Sequence, residues 1–349
     1  MKKVIKYIRR IESRKINSKI TQKGILIGSV TLLVIIGCGI ITTVTLSGNN
    51  DKEKVYTKAE KLAESTTSDS TKIDGPGIEG NVETESNSKT ENTSTEEKSK
   101  KEVSDSKYLP LSKDSNADDV IELFHTTEKL LKNEISYPVR KDGKKVVYLT
   151  FDDGPSTTNT PKVLDTLKAN GVKATFFIMG KQINTSEESR KILKRTVKEG
   201  HAIGNHTYGH DYNYLYPNRV ISVSNFMSDV EKCDKELKGV LGKDFSTRVI
   251  RFPGGYWSWE GRTNVKPVIV EKGYAIMDWN TLSEDAQGKS KNAEELIQTT
   301  RKNLDSLGPN ADSVVLLMHD TYGKEESAKS VQGIINTFKE KGFEFRIMK

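Results

Sequence analysis

Cysteine is nearly missing from this 349-residue chain, with Cys38 and Cys233 its only two. Two thiols so far apart cannot form the framework of a disulfide-stapled secreted module. Cys38 lies in an apolar run, and Cys233 in an expected helix where an ordinary, partly buried thiol is anticipated. Aromatic residues make up only 7% of the chain and are few from Gly48 to Ser115. Ser, Thr, Glu, Lys, Asp and Asn dominate that stretch, with Gly-Pro-Gly at 75–77. It offers too little apolar surface to offset the entropy of ordering, which excludes a packed core and reads as a disordered extracellular linker. Histidine is scarce too, at five residues, so two of them close together are conspicuous. The N-terminus lacks acidic charge: in residues 1–23, Lys2, Lys3, Lys6, Arg9, Arg10, Arg14, Lys15, Lys19 and Lys23 face only Glu12. The formal charge of +7 therefore belongs to that tail and the remainder is near neutral. A polyanion-binding domain is excluded, and no nucleic-acid partner is expected.

What the chain does have is one long uncharged run, Gly24 to Ser47, rich in Ile, Val, Leu, Thr and Gly. A helix needs roughly 20 apolar residues to cross a bilayer, and this run exceeds the ~7–15 residue apolar core of a cleavable signal. Its basic flank places the N-terminus in the cytoplasm and the rest outside. A cleaved signal is the alternative, and it exports the main domain as well. The expected order is a basic cytoplasmic tail (1–23), a transmembrane helix (24–47), a linker that gives reach (48–115), a lead-in segment (116–143) and the main domain (144–349). Ile121 to Lys132 is an expected short helix in the lead-in. The expected location is the cell membrane, single-pass, with the main domain extracellular. An exported domain without disulfides is typical of bacterial surface proteins.

From Lys144 onward apolar strand-like runs alternate with helical patterns. The expected strands are Val146–Phe151, Ala174–Met179, Ala202–Asn205, Arg248–Phe252, Ala275–Trp279, Ser313–His319 and Glu344–Met348. Helical segments lie between them, such as Pro161–Asn170, Glu187–Glu199, Val223–Lys238, Asn292–Ser306 and Ser327–Lys341. Gly171, Gly200 and Gly342 stand where helix C-caps belong. The alternation predicts a parallel sheet with crossover helices, about seven β/α units arranged as a distorted (β/α) barrel. The barrel is preferred to an open sheet because Asp152, Asp153, His206, Arg251, Asp278 and His319 all fall at strand C-terminal ends, where barrel active sites are built.

The segment Thr150-Phe151-Asp152-Asp153-Gly154-Pro155 ends an apolar strand in two carboxylates and a Gly-Pro turn. His206-Thr207-Tyr208-Gly209-His210 supplies two imidazoles spaced four apart, on one helical face or across a turn through Gly209. Two histidines and one carboxylate make an open catalytic metal site, and the second aspartate is left free as a base. Thr207 is a candidate to orient a ligand. Read singly, Asp-Gly-Pro is ordinary turn chemistry and the histidine pair ordinary surface chemistry. His201 opens a strand without a partner and reads as structural; His125 is expected to face solvent. Arg248 to Gly255 ends another strand: Arg251 would hold an aspartate ionised through two parallel hydrogen bonds, and the Gly254 and Gly255 amides are candidate oxyanion donors. Tyr256, Trp257 and Trp259 follow, fit either for stacking on sugar rings or for core packing. His319 ends the run Leu316-Leu317-Met318 and is placed to protonate a leaving amine.

In this order, these motifs resemble the polysaccharide deacetylase family, the NodB-type carbohydrate esterases, over about residues 144–349. The resemblance implies Asp152 as general base, Asp153, His206 and His210 as ligands of a divalent metal (zinc first, with Co, Mn or Ni also possible), and His319 as general acid. It further implies that Arg251 positions the base and that Leu317 lies beside the acetyl methyl, with Trp257, Trp259 and Trp279 as substrate-contact candidates. Two departures stand out. Gly254 occupies the place of the tyrosine in the third motif, keeping the backbone donor only. In the fourth motif Leu282 falls where an aspartate partner of the acid belongs, so Asp278 or Asp285 has to substitute. The implied reaction is hydrolysis of N-acetyl groups in a cell-wall polysaccharide, with N-acetylglucosamine of peptidoglycan as first choice and lysozyme resistance as the consequence. N-acetylmuramic acid, exopolysaccharide, chitin and O-acetylated xylan are the other substrates, and a catalytically silent carbohydrate-binding protein is the other class.

Overall fold

A computed structural model of the chain describes residues 31–32, 44–45, 108–132, 134–135 and 140–349. The basic tail 1–23, nearly all of the expected transmembrane run 24–47 and residues 48–107 lie outside the described residues. Within the apolar run, Thr31–Leu32 pairs antiparallel with Val44–Thr45. No helix among the described residues is long and apolar enough to cross a membrane.

The folded unit begins earlier than composition suggests. Tyr108 packs edge-on against Phe245, with ring centroids 5.0 Å apart, and its hydroxyl accepts from the Ile203 amide. Strand β1 (Ala117–Asp118) and helix α1 (Val120–Leu131) follow, and α1 buries Val120 and Phe124 in the core. Tyr108, Ala117, Val120 and Phe124, assigned by sequence to linker and lead-in, thus contribute to the cores. The expected helix Ile121 to Lys132 is found as α1; its docking depends on contacts between distant parts of the chain, which local pattern does not carry.

The remaining elements are β2 (Val146–Gly154), α2 (Thr160–Ala169), β3 (Thr175–Ile178), α3 (Gly180–Ile183), α4 (Glu187–Lys198), β4 (Ala202–Asn205), α5 (Tyr212–Leu215), α6 (Val223–Leu241), β5 (Val249–Ile250) and α7 (Arg262–Glu271). They are followed by β6 (Ala275–Ile276), β7 (Thr281–Leu282), α8 (Ala293–Asp305), β8 (Ser313–His319), α9 (Glu325–Glu340), β9 (Glu344–Phe345) and β10 (Ile347–Met348). Side-chain caps start several helices. Ser186 accepts from the Ser189 amide ahead of α4, and Asn292 with Glu295 forms a reciprocal capping box on α8.

All pairings in the main sheet are parallel, in the order β6-β5-β4-β3-β2-β8-β7, with β9 added beside the start of β2. The last long strand, β8, returns to the first, β2, as barrel closure requires. The edges β6 and β7 do not pair with each other, so the sheet is a curled barrel with one open seam, in keeping with the distorted barrel expected. The expected strand Glu344–Met348 splits, and β10 leaves the main sheet to pair with β1.

Period-two alternation sorts the strand residues. On β2, Val147, Leu149 and Phe151 join the core beneath α2, α4 and α9, while Val146 and Tyr148 face the second core with α1, α6 and α7. Thr150 and Asp152 continue that second face. On β8, Val314, Leu316 and Met318 pack in the first core, leaving Leu317 and His319 on the other side. Because Asp152 stands opposite His319 in the ladder, base and acid candidates enter the same side of the sheet.

Candidate metal centre and its flanking residues

Strand β2 ends in a bulge. Asp152 pairs with Phe177 and Gly154 with Ile178, which leaves Asp153 as the extra residue, in the left-handed region at φ 71°. A bulge breaks the two-residue alternation, and aspartate tolerates this backbone better than most residues. Adjacent carboxylates thereby turn toward one site. Gly154 is required here because a β-carbon would lie 2.6 Å from Oδ1 of the buried Asp320.

The two histidines arrive on a turn rather than a helix. The Asn205 side chain accepts from the Thr207 amide at 2.8 Å, and Asp229 of α6 accepts from the Tyr208 and Gly209 amides at 2.9 and 2.8 Å. Thr207 and His210 adopt positive φ, and Thr207 Oγ1 accepts from the His210 amide. His206 Nδ1 lies 2.8 Å from the Arg251 carbonyl, so it donates and leaves the Nε2 lone pair free.

Both Nε2 atoms lie 3.4 Å from Asp153 Oδ1. Ligands ~2.1 Å from a tetrahedral ion stand ~3.4 Å apart, so the three atoms fit around one divalent cation. Asp153 Oδ1 is buried without a hydrogen-bond partner among the described residues, as a ligand atom would be. Burial works against charge on Asp153, but the imidazoles of His206 and His210 and the more distant His319 hold it well below the usual carboxylate range. Burial, then the neighbouring His206, lowers His210, which favours the neutral ring that ligation needs.

Beside this centre Arg251, fully buried, donates from Nη1 to Asp152 Oδ1 at 2.8 Å. The expected pair of parallel bonds is absent. Nη1 also reaches Thr150 Oγ1, Nε donates to the Met277 carbonyl and Nη2 to that of Asp278. With its other donors anchored to β2 and the seam, the guanidinium is fixed and spares one bond for the base.

His319 Nδ1 lies 2.9 Å from Asp285 Oδ1, and Asp285 Oδ2 accepts from the His319 amide and from Ser327 Oγ. Burial pulls the imidazole pKa down, but the hydrogen bond and charge of Asp285, with Asp152 and Asp153 adding, outweigh it and raise His319 to about 9. Asp285 is thus the partner of His319. Asp278 instead accepts from the Tyr256 amide, and burial raises its carboxyl. Leu282, in the family's aspartate place, pairs with Leu317 in the sheet.

At the rim, Leu317 is buried on the His319 face. The Gly254 amide has no hydrogen-bond partner among the described residues, whereas the Gly255 amide closes a turn onto the Phe252 carbonyl and is removed as an oxyanion donor. Trp279 is half-buried against Gly255, and half-buried Trp257 lies under the Arg262 guanidinium. Trp259 is not a sugar platform: it is buried, stacked on Tyr216 with centroids 4.0 Å apart, and donates from Nε1 to the Pro253 carbonyl. His201 accepts from the Ala174 amide in the core, and His125 is exposed. Cys233 is fully rather than partly buried.

Sequence reasoning missed three residues. Asp229 shapes the histidine turn from a distant helix that gives no local signal. Asp320 packs against Gly154 and accepts from Thr160 Oγ1; burial pushes its carboxyl up to about 7. Its position directly after His319 was the available clue. Tyr212, two residues beyond His210, stands over Gly254.

Residues 139–271 match the polysaccharide deacetylase family profile. A peptidoglycan-N-acetylglucosamine deacetylase of Bacillus cereus is 30% identical over 239 residues, which span 68% of this chain and 81% of that protein. The PgdA deacetylase of Listeria monocytogenes is 33% identical over 208 residues, 60% of this chain and 39% of that longer protein. Among solved structures, a Streptococcus mutans CE4 esterase superposes with a TM-score of 0.59 at 32% identity, over 67% of this chain and 92% of that one. The catalytic domain of a Eubacterium rectale peptidoglycan N-acetylglucosamine deacetylase gives 0.52 at 29% identity, over 62% and 94%. The chain belongs to the polysaccharide deacetylase family, whose members are hydrolases.

Proposed function

We propose that this enzyme removes N-acetyl groups from cell-wall polysaccharide, with N-acetylglucosamine of peptidoglycan as its substrate, releasing acetate and a free amino sugar. One observation carries the chemistry: Asp153 Oδ1 lies equidistant from two histidine nitrogens, with a buried Asp152–Arg251 pair and a His319–Asp285 pair beside them. The names of the relatives from Bacillus cereus and Listeria monocytogenes support the choice of sugar.

Asp153, His206 and His210 would hold a divalent cation, zinc by the nitrogen-rich donor set; when bound it supplies Lewis-acid polarisation of the amide carbonyl and an acidified water. Asp152 takes a proton from the attacking water as the water oxygen bonds to the amide carbon, with Arg251 aiming the carboxylate. The Gly254 amide donates to the oxyanion of the tetrahedral species. His319, protonated and steadied by Asp285, delivers its proton to the departing nitrogen as the C–N bond breaks. Leu317 lines the side that receives the methyl group.

The proposed setting is the outer face of a cell membrane. The uncharged run 24–47 behind a basic tail would anchor the chain, and the polar stretch after it would carry the catalytic unit to the wall. The test offers purified full-length protein peptidoglycan and chitin oligomers in parallel, with and without chelator, and measures acetate. Chelator-sensitive release from peptidoglycan supports the reading; no release from either polymer refutes it. Muropeptide masses from a deletion strain test the wall assignment, which unchanged acetylation would overturn.

A further inference from the structure

The loss of a side chain at Gly254 leaves a space that another residue fills. Gly254 has φ 75°, and a β-carbon there would meet Trp259 at 3.1 Å and the Tyr212 hydroxyl at 3.2 Å. Tyr212 opens α5, the short helix that leaves the histidine turn. Asp211 caps it by accepting from the Asn213 and Tyr214 amides, and Leu215 anchors it in the core. The Tyr212 ring is thereby wedged between His210 and Trp259, with centroids 5.2 Å from each.

Its body is held, yet its polar tip is idle: the hydroxyl has no hydrogen-bond partner among the described residues, and the residue is 44% exposed at the mouth of the site. A packing role alone would be served by phenylalanine. The Tyr212 hydroxyl stands over Gly254, whose own amide is also without a partner among the described residues, and a β-carbon at position 254 would crowd that hydroxyl.

We propose that the Tyr212 hydroxyl is a second hydrogen-bond donor to the acetamido carbonyl oxygen, acting beside the Gly254 amide as that oxygen becomes an oxyanion. The inference rests on the deacetylase reading above. A donor that strengthens its bond only as charge develops acts on kcat rather than on KM.

The experiment compares the full-length parent, Tyr212→Phe and, as a control on the same helix, Tyr214→Phe, using acetate release from an N-acetylglucosamine oligomer together with bound zinc per chain. Tyr212→Phe keeps the ring and removes one oxygen. Its kcat is expected to fall roughly 10- to 100-fold, with KM held within about twofold and zinc content unchanged. Tyr214→Phe is expected to match the parent. An unchanged kcat, a loss confined to KM, or a parallel loss of zinc in Tyr212→Phe overturns the proposal while leaving the deacetylase reading intact. A zinc-loaded parent that releases no acetate overturns both.

Discussion

His319 and Asp285 meet at 2.9 Å, Nδ1 to Oδ1, across 34 positions of sequence. The bond sets the pH at which the acid is available. With the imidazole raised to about 9, the protonated form persists below that pH and is lost as pH rises through it. In Asp285→Asn the raising charge is gone and the pKa returns toward ~6.5. The alkaline limb of the kcat profile should move to lower pH, so that the variant loses most at pH 8 and least at pH 6. A bound cation lowers both curves, so the displacement between variant and parent is what is measured. Superimposable profiles would remove Asp285 from this role.

Asp152 is bonded to Arg251 and stands 3.7 Å from His206 Nε2, outside the Asp153, His206 and His210 group that could hold the ion. Asp152→Asn should therefore lower kcat by about 10³-fold or more while leaving bound zinc at the parental level. Zinc analysis beside the rate assay checks both halves, and retained turnover would exclude Asp152 as the base.

Ligands that bind only the folded state raise its stability. Zinc should raise the melting temperature of the parent by several degrees, and of His206→Ala or Asp153→Ala hardly at all. Thermal melts with and without zinc decide this before any substrate is chosen.

Asp229 satisfies the Tyr208 and Gly209 amides at the centre of the histidine turn. Replacing it with alanine leaves the Gly209 amide unpaired, at about 1–3 kcal/mol, and leaves the Tyr208 amide only the backbone carbonyl of residue 229. Asp229→Ala should bind zinc more weakly and melt earlier, although the residue touches no ligand side chain. A variant with parental zinc affinity would show that the turn holds its shape without the carboxylate.

Much of this could be read from the sequence because chemistry and punctuation coincide. Asp152, Asp153, His206, Arg251 and His319 each close an apolar run, and a polar residue in that place has little reason to be there except the mouth of a sheet. The partner of His319 was not legible. Asp285 comes from a loop beyond the two-residue strand β7, without periodicity to fix its register. Trp259 misled for a related reason: an indole in a turn has the same sequence signature whether it packs inward or faces solvent. Helix α7 was hidden by Pro267 inside it, which removes an amide donor. The seam and the β1–β10 pair depend on contacts between distant parts of the chain, which local pattern does not carry.

The C-terminal Lys349 is tied to Leu109, Asp114 and Asp118, and the Tyr108 hydroxyl receives the amide of Ile203 near the start of β4. These ties gather at the strand beginnings, whereas Asp152, His206 and His319 stand where strands finish. Tyr108 and the residues after it are accordingly fastened to the side opposite the reacting groups, which leaves the mouth of the site to the substrate.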